Sequence, residues 1–317
     1  MGESLNYLHH HSNFSDLLNI VGHKKNMDPA LIEKDYWIMH CLYGLQKMGL
    51  SFQLKGGTSL SKGYQIIHRF SEDIDIRIEP LSGMTVYTGR NQNKPSHCNS
   101  RRDFYNALQK RIKIDGIDSV ERDKNFDDEK FRSGGIRLLY HSRTSALTHL
   151  KEGILLEVGF DDVSPNKPRD ITSWAYDHAV ANRVPVKDNR ARKVRCYDPG
   201  YTFVEKLQTI STKYRKITNK NSLPENFMRH YYDVYCLLKE PSILNFIGTA
   251  DYHAHKKKRF RDADHKIIHE NEAFTLTDPL IRNEFKHAYE KSRTLYYQGQ
   301  PDFDEVVALI QKHSHQL

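Results

Sequence analysis

Long apolar runs and a secretory pattern are both missing from this sequence of 317 residues. A membrane helix needs about 20 consecutive apolar residues, and no stretch of the chain approaches that length. The N-terminal residues MGESLNYLHHHSNF contain no basic segment followed by an apolar one, so we expect no signal peptide. We also expect the triplet His9-His10-His11 to be a flexible, solvated terminus and not a metal site.

Cysteine is scarce and scattered. The four cysteines (Cys41, Cys98, Cys196 and Cys236) lie far apart, without a CxxC pair or the spacing of a zinc ligand set. Such thiols are typical of small buried side chains in a reducing compartment and not of a disulfide scaffold. We therefore expect a cytoplasmic protein with no membrane association.

Two signatures of ATP-binding proteins are also absent. A Walker A loop requires a glycine directly before its lysine, whereas Ser61 stands before Lys62. The chain has no glycine-rich loop followed by the His-Arg-Asp and Asp-Phe-Gly motifs of protein kinases. These absences exclude P-loop and protein-kinase chemistry.

The chain does have an excess of positive charge. It holds 48 Lys and Arg residues against 40 Asp and Glu, a net charge of +8. A basic surface favours polyanions, and nucleic acid is the first candidate. The strongest cationic run is HAHKKKRFR, from His253 to Arg261, which is either a grip on RNA phosphates or a solvated loop.

The spacing of apolar residues changes along the chain. The segments SFQLK, DIDIRIE, GIRLLYHS and GILLEVGFDD are predicted to be strands, the last two as neighbours in a sheet. Helical segments are ALIEKDYWIMHCLYGLQKM, TSLSKGYQII and RRDFYNALQKRI, and SPNKPRD is expected to be a loop. The first of these helices is predicted to start at Asp28-Pro29, where Asp can cap it and Pro suits the first helical position. Beyond about Arg195 the spacing is helical, as in GYTFVEKLQTISTKYRK. We therefore predict an α+β domain over residues 1–195 and a helical C-terminal domain over residues 196–317.

The stretch KGGTSLSKGYQIIHRFSEDIDIRIE, from Lys55 to Glu79, carries the clearest chemistry. Residues two apart on a strand share a face, so Asp73 and Asp75 present two carboxylates side by side. Adjacent carboxylates repel each other unless a cation lies between them, and Mg²⁺ prefers carboxylate oxygens. The pair therefore predicts a metal site, although an ordinary exposed strand face has the same pattern.

A glycine and hydroxyl turn precedes the acidic pair. Gly56 and Gly57 allow close backbone approach, and Thr58 and Ser59 stand where a helix is predicted to begin. Free backbone N–H groups at a helix start suit a phosphate, and Ser71 is a further candidate phosphate contact. A turn that holds a triphosphate, followed by carboxylates that hold its metals, predicts a nucleoside triphosphate site.

These residues resemble the nucleotidyltransferase AbiEii/AbiGii toxin family, within the DNA polymerase β-like nucleotidyltransferase superfamily. The resemblance rests on five segments that occur in the family's order across roughly residues 30 to 240: IEKDYWIMHCL, LKGGTSLSKGY, RFSEDIDI, FVEKLQTISTKY and RHYYDVYCLL. It implies a nucleotidyltransferase-type mixed sheet with flanking helices. Beyond about Ile243 no segment is matched.

The resemblance also implies roles for particular residues. Asp73 and Asp75 are the metal-binding pair and Lys206 contacts the nucleotide phosphates. Asp233 is a further acidic residue of the active site and a candidate base. One departure is that His230 stands in the Arg-His-Tyr-Tyr run before Asp233, where the family commonly has Arg-Asp before a tyrosine.

The third carboxylate of the wider superfamily has no unambiguous match in this sequence. We nominate Glu157, because a charged residue in the apolar strand ILLEVGF needs a reason to be there. A metal ligand and a plain salt-bridge partner both provide one. Arg69 and Arg77, beside the acidic motif, are expected to add positive charge near the cleft.

The resemblance implies a toxin held in check by a separate antitoxin, in a toxin–antitoxin or phage-defence (abortive infection) system. Its reaction is the transfer of a nucleoside monophosphate from an NTP to a hydroxyl, dependent on Mg²⁺ or on Mn²⁺ in its place. Together with the basic surface, the resemblance points to RNA, and specifically to the tRNA 3′ end, as the acceptor. Two alternatives stay open: transfer to a protein or small molecule, and an inactive module that binds RNA or the antitoxin.

Overall fold

The computed structural model describes residues 5–147, 150–218, 223 and 226–317. The chain divides into two compact units. The first comprises Met1–Gly63 and Ser71–Tyr197, and the second comprises Tyr64–Phe70 and Asp198–Leu317. The second unit therefore receives a short segment from the middle of the glycine and acidic motif.

The first unit contains a seven-stranded mixed sheet in the order β3-β4-β5-β2-β1-β7-β6. Its strands are β1 (Phe52–Lys55), β2 (Asp73–Ile78), β3 (Ile117–Asp123), β4 (Ser133–Tyr140), β5 (Ile154–Gly159), β6 (Asn166–Ile171) and β7 (Ala191–Tyr197). The β2–β5 and β1–β7 pairs are parallel, and the other neighbouring pairs are antiparallel. The predicted mixed sheet is confirmed.

The central strand β2 follows the period of two seen in the sequence. Ile74, Ile76 and Ile78 are almost fully buried, whereas Asp73 and Asp75 between them are half-buried. Because the three isoleucine side chains belong to the core, the two carboxylates lie on the opposite face of the strand. The predicted pairing of β4 with β5 is also confirmed, with an antiparallel register.

Helices flank this sheet. They are α1 (Phe14–Lys25), α2 (Pro29–Lys47), the single turn α3 (Gly56–Thr58), α4 (Pro95–Arg111) and α5 (Trp174–Ala181). Helix α2 begins where the sequence predicts, because the Asp28 carboxylate accepts a hydrogen bond of 2.8 Å from the Ala30 amide and Pro29 occupies the first helical position. Most of its residues are buried, so α2 is the central helix of this unit's core.

The second unit is helical. Its helices are α6 (Pro199–Thr218), α7 (Arg229–Leu238), α8 (Pro241–Phe246), α9 (Ala250–Arg259), α10 (Glu272–Thr275), α11 (Pro279–Glu290) and α12 (Phe303–His313). The inserted segment is tied in by backbone hydrogen bonds from Phe70 to Leu295 (2.7 Å) and from Tyr297 to His68 (3.1 Å).

Two local predictions are wrong, and two strands were not predicted. The helix expected through TSLSKGYQII ends as a π-turn at Gly63, because Gln65 adopts a positive φ of 57° and the chain continues into the second unit. The loop expected at SPNKPRD contains the edge strand β6, where an edge position tolerates Pro168. Strands β3 and β7 were not predicted, since neither carries a run of apolar residues.

Two polar runs also differ from expectation. His9 is not solvated: it is 6% exposed and lies in a 3-10 helix, Leu8–His10. The run from His253 to Arg261 is not a loop, since most of it forms the last two turns of α9, with His255 and Phe260 buried. Its exposed members are His253, Ala254, Lys257, Lys258 and Arg261.

Within the described residues, no helix combines the length and apolar character needed to cross a bilayer. The four cysteines, all of them described, form no disulfide bond.

An arginine organises the irregular chain between β2 and α4. Arg101 is fully buried in α4 and donates hydrogen bonds to the backbone carbonyls of Tyr87 (2.6 Å), Gln92 (3.0 Å) and Lys130 (2.7 and 2.9 Å). Loops carry few internal backbone hydrogen bonds. A guanidinium with five N–H donors can therefore bind carbonyls that would otherwise lack a hydrogen-bond donor.

We predict that Arg101→Met lowers the free energy of unfolding by about 3–5 kcal/mol, because it leaves three carbonyls without donors. Arg102→Met is the matched control, since the Arg102 side chain is 46% exposed, pairs with Asp103 at 3.5 Å and lies 6.0 Å from the centroid of the Phe131 ring. Urea unfolding measures both variants. Equal midpoints for the two would contradict the role assigned to Arg101.

Candidate active site

Three carboxylates meet on two neighbouring strands. Asp73 and Asp75 stand at the start of β2, and the parallel register places Asp73 opposite Leu155 and Asp75 opposite Glu157 of β5. Paired residues of adjacent strands point to the same face, so Asp75 and Glu157 are side by side. The structure therefore brings all three of these sequence-predicted residues together.

The charges of this cluster disturb its proton equilibria. The negative charge of Asp75, with burial, raises the pKa of Glu157 to about 8. Burial, with the charges of Glu72 and Asp75, raises the pKa of Asp73 to about 6. Both shifts mean that the protein alone does not supply enough positive charge to hold all these groups ionised.

Lysine charges partly offset the cluster: those of Lys151 and Lys34 act to lower the pKa of Asp73, and that of Lys55 acts to lower the pKa of Glu157. The sequence analysis did not identify Lys34 as a site residue. Lys34 of α2 is almost fully buried, lies 3.5 Å from the Glu72 carboxylate and also donates to the Lys151 carbonyl. Its burial lowers its pKa, while the charges of Glu72 and Asp73 act in the opposite direction. The sequence feature that could have indicated Lys34 was its position in the IEKDYW segment, one turn after the start of α2, a helix in which most residues are buried.

The glycine turn fits against the acidic pair. Gly56 has a φ of +69°, and a Cβ atom there would overlap the Asp75 carboxylate, so only glycine meets both demands. Thr58 donates its hydroxyl to the Asp73 carbonyl at 2.5 Å and approaches the Ser71 hydroxyl at 3.2 Å. The turn and the strand are thereby fixed to each other.

The two hydroxyl residues of the turn are not at the surface. Thr58 and Ser59 are fully buried, whereas Gly56, Gly57 and Ser71 are half-buried. A fully buried hydroxyl that is engaged with the backbone stabilises the turn. Phosphate binding by this turn is therefore expected from its backbone N–H groups and from Ser71.

The second unit holds a separate charged cluster around Asp233. The fully buried Asp233 carboxylate accepts two hydrogen bonds from the Arg69 guanidinium (2.7 and 2.8 Å) and pairs with the Lys206 ammonium at 2.9 Å. Arg69 comes from the inserted segment, Lys206 from α6 and Asp233 from α7. Two cations on one carboxylate leave a net charge of one positive unit.

The two cations hold the pKa of Asp233 well below its usual range, against the opposing effect of burial. Such a carboxylate is a poor general base at neutral pH, so the geometry favours an anchoring role for Asp233. Arg69 is not an open positive charge, contrary to expectation. Burial, with the charges of Lys206 and Lys213, holds the pKa of His230 well below its usual value and keeps the imidazole neutral.

The first cluster has the chemistry of a divalent metal site. Asp73, Asp75 and Glu157 offer carboxylate oxygens, which hard cations such as Mg²⁺ prefer. The raised pKa of Glu157 is the response expected of carboxylates that are brought together without a cation.

We predict that, in chelator, the unfolding free energy of wild-type protein falls relative to that of Glu157→Gln as pH rises from about 5 to about 8. A carboxyl whose folded pKa is about 8, against 4.5 when unfolded, stabilises the fold below pH 4.5 and loses that contribution as it ionises. Glu157→Gln mimics the protonated form, so its stability relative to wild type should rise by roughly 3 kcal/mol across this range.

Glu152→Gln is the control, because Glu152 is an exposed glutamate close to the same strand. Its pH dependence should match that of wild type, as measured by urea unfolding at several pH values. An identical slope for wild type and Glu157→Gln would show that Glu157 ionises normally.

Comparisons with known proteins bear on the family of the chain. The family model described as nucleotidyl transferase AbiEii toxin, type IV TA system, matches residues 40–309, beyond the last motif recognised in the sequence. The comparison with curated proteins gives no match.

Two solved structures are similar to this chain. The nucleotidyltransferase toxin MenT4 of Mycobacterium tuberculosis H37Rv is 14% identical, with a TM-score of 0.39 over 86% of this chain and 97% of that one. An antigenic nucleotidyltransferase-like protein of Paracoccidioides brasiliensis is 10% identical, with a TM-score of 0.31 over 72% of this chain and 94% of that one. On the extent of the family match, this chain belongs to the AbiEii family of nucleotidyltransferase toxins of type IV toxin–antitoxin systems.

Proposed function

We propose that this nucleotidyltransferase toxin uses Mg²⁺ to transfer a nucleoside monophosphate from an NTP to an RNA hydroxyl, with the tRNA 3′ end as the acceptor. The observation that carries the proposal is the register of Asp75 and Glu157 on adjacent strands, next to Asp73. Three carboxylates on one face of a sheet are costly without cations and suited to them.

In this proposal, Asp73, Asp75 and Glu157 hold Mg²⁺, or Mn²⁺ in its place. A metal at such a site stabilises charge on the attacking and leaving oxygens of a phosphoryl transfer. The backbone of the turn at Gly56 and Gly57 binds the triphosphate, with Ser71 as a further contact.

The reaction joins two substrates without an external oxidant or reductant. An RNA hydroxyl oxygen forms a bond to the α-phosphorus of the NTP, and the bond from that phosphorus to the bridging oxygen breaks. Pyrophosphate leaves, and the proton of the hydroxyl passes to solvent. Positioning and electrostatic stabilisation dominate catalysis of such transfers.

The charge balance supports a polyanionic acceptor. The chain has a net charge of +8, and the exposed side chains His253, Lys257 and Lys258 project from α9. Phosphate contacts by such residues make nucleic-acid binding dependent on salt. The antitoxin implied by the family is a second proposed partner, and a cytoplasmic location fits both partners.

We predict that the purified protein, with Mg²⁺ and one α-³²P-labelled NTP, transfers label to tRNA. Asp73→Asn and Asp75→Asn should each lower the rate at least about 100-fold, because they remove charged metal ligands. Glu79→Gln is the control: Glu79 follows the same strand, is 42% exposed and pairs with Arg77 at 3.3 Å. Its rate should equal that of wild type.

The outcomes separate the possible acceptors. Label on protein or on a small molecule, and none on tRNA, would show that the acceptor is not RNA and would leave the proposed carboxylate site unchanged. RNA binding that is unchanged in both aspartate variants, with no labelled product from wild type, would identify a binding module and contradict the transferase.

Lys206 is proposed to contact the nucleotide phosphates. Its ammonium lies on a carboxylate already neutralised by Arg69, so its charge is available to an anion. Lys206→Met should raise the KM for the NTP about tenfold or more, since one charge-assisted contact is lost. Lys216→Met, on an exposed position of the same helix, should leave the KM unchanged. Steady-state kinetics with varied NTP measure both, and equal KM values would reject the phosphate contact.

A further inference from the structure

A group of three metal-ligating side chains lies apart from the acidic residues of β2 and β5. His9 and His10 come from the 3-10 helix near the N-terminus, and Asp115 comes from the loop between α4 and β3. The Nε2 atoms of His9 and His10 lie 2.9 Å and 2.5 Å, respectively, from the same Asp115 Oδ1 atom. All three ligand atoms fall within 4.8 Å of one another. We call these residues the His–Asp cluster.

The surrounding residues hold His9 in one orientation. Its Nδ1 atom lies 2.7 Å from the Tyr36 hydroxyl, and Asn189 donates to that same hydroxyl at 3.0 Å. The Trp37 ring packs on the imidazole with a centroid distance of 4.9 Å. A partner on one ring nitrogen that directs the other nitrogen outward is the usual environment of a histidine metal ligand.

The other two members remain accessible. The side chains of His10 and Asp115 are 47% and 49% exposed, whereas that of His9 is 4% exposed. A cation can therefore approach from solvent, and the two exposed side chains can make the small rotations that coordination requires. The cluster thus combines one fixed ligand with two adjustable ones.

We propose that the His–Asp cluster binds a divalent transition-metal ion of the Zn²⁺ type through His9 Nε2, His10 Nε2 and Asp115 Oδ1. Two imidazoles with one carboxylate suit Zn²⁺, whereas Mg²⁺ prefers a set of oxygen ligands. Three protein ligands leave the fourth tetrahedral position to water. The site shares no residue with the proposed transferase site and does not depend on the proposed function.

Such an ion has a structural consequence. It joins the start of the described chain to a loop about a hundred residues later, since 106 positions separate His9 from Asp115. A ligand that binds only the folded state raises stability by an amount that grows with its concentration relative to Kd. The bound ion therefore fixes the N-terminal 3-10 helix to the loop between α4 and β3.

The same contacts can exist as plain hydrogen bonds from two imidazoles to one carboxylate, and the experiment separates the two cases. Protein without a polyhistidine tag is stripped with chelator, dialysed and titrated with Zn²⁺ by calorimetry, with Co²⁺ absorption as a second probe of coordination. We expect one ion per chain with a Kd in the micromolar range or below.

His10→Ala and Asp115→Asn should each weaken Zn²⁺ binding about tenfold or more. Asp115→Asn retains a hydrogen-bond acceptor, so it removes the metal ligand with little effect on a hydrogen-bonded clamp. His23→Ala, an exposed histidine of α1, is the control and should bind like wild type. Circular dichroism checks that each variant is folded, and both cluster variants alter exposed side chains.

The melting temperature is an independent readout. Added Zn²⁺ should raise it in wild type and in His23→Ala, with a much smaller rise in His10→Ala and Asp115→Asn. Less than one ion per wild-type chain at micromolar Zn²⁺ would overturn the proposal. Unchanged affinity in the two cluster variants would do the same, because the bound ion would then lie elsewhere.

Discussion

Repulsion between Asp75 and Glu157, paired across two parallel strands, is the constraint around which the first unit is arranged. The charge of Asp75 is the main reason that the pKa of Glu157 rises to about 8. A fold can keep two such groups adjacent only if other contacts fix the strands. The isoleucines of β2 provide that fixation, because they are buried on the face opposite the carboxylates.

The elements next to the carboxylates accommodate the same constraint. Gly56 gives Asp75 the space that a side chain would fill, and Thr58 ties the turn to Asp73. Lys34 brings one positive charge from a buried helix to Glu72. These contacts keep the acidic face in place at a cost in solvation.

In the second unit, the group that requires charge compensation is the buried carboxylate of Asp233. A fully buried carboxylate is unstable alone, and Asp233 is compensated by Arg69 and Lys206. Arg69 reaches it because the chain leaves the first unit after Gly63 and returns at Ser71. One segment of the sequence motif thus supplies Asp75 to one cluster and Arg69 to another.

Local features could be predicted from the sequence: the alternation of β2, the cap of α2 and the pairing of β4 with β5. The sequence also predicts that Asp73 and Asp75 lie on the same face, because residues two apart on a strand share a face in any fold. The partners of Arg69, Asp115 and His9, and the edge strands β3 and β6, could not be predicted, because they depend on tertiary contacts. Those contacts join residues far apart in the chain, and neither periodicity nor local composition encodes such distances.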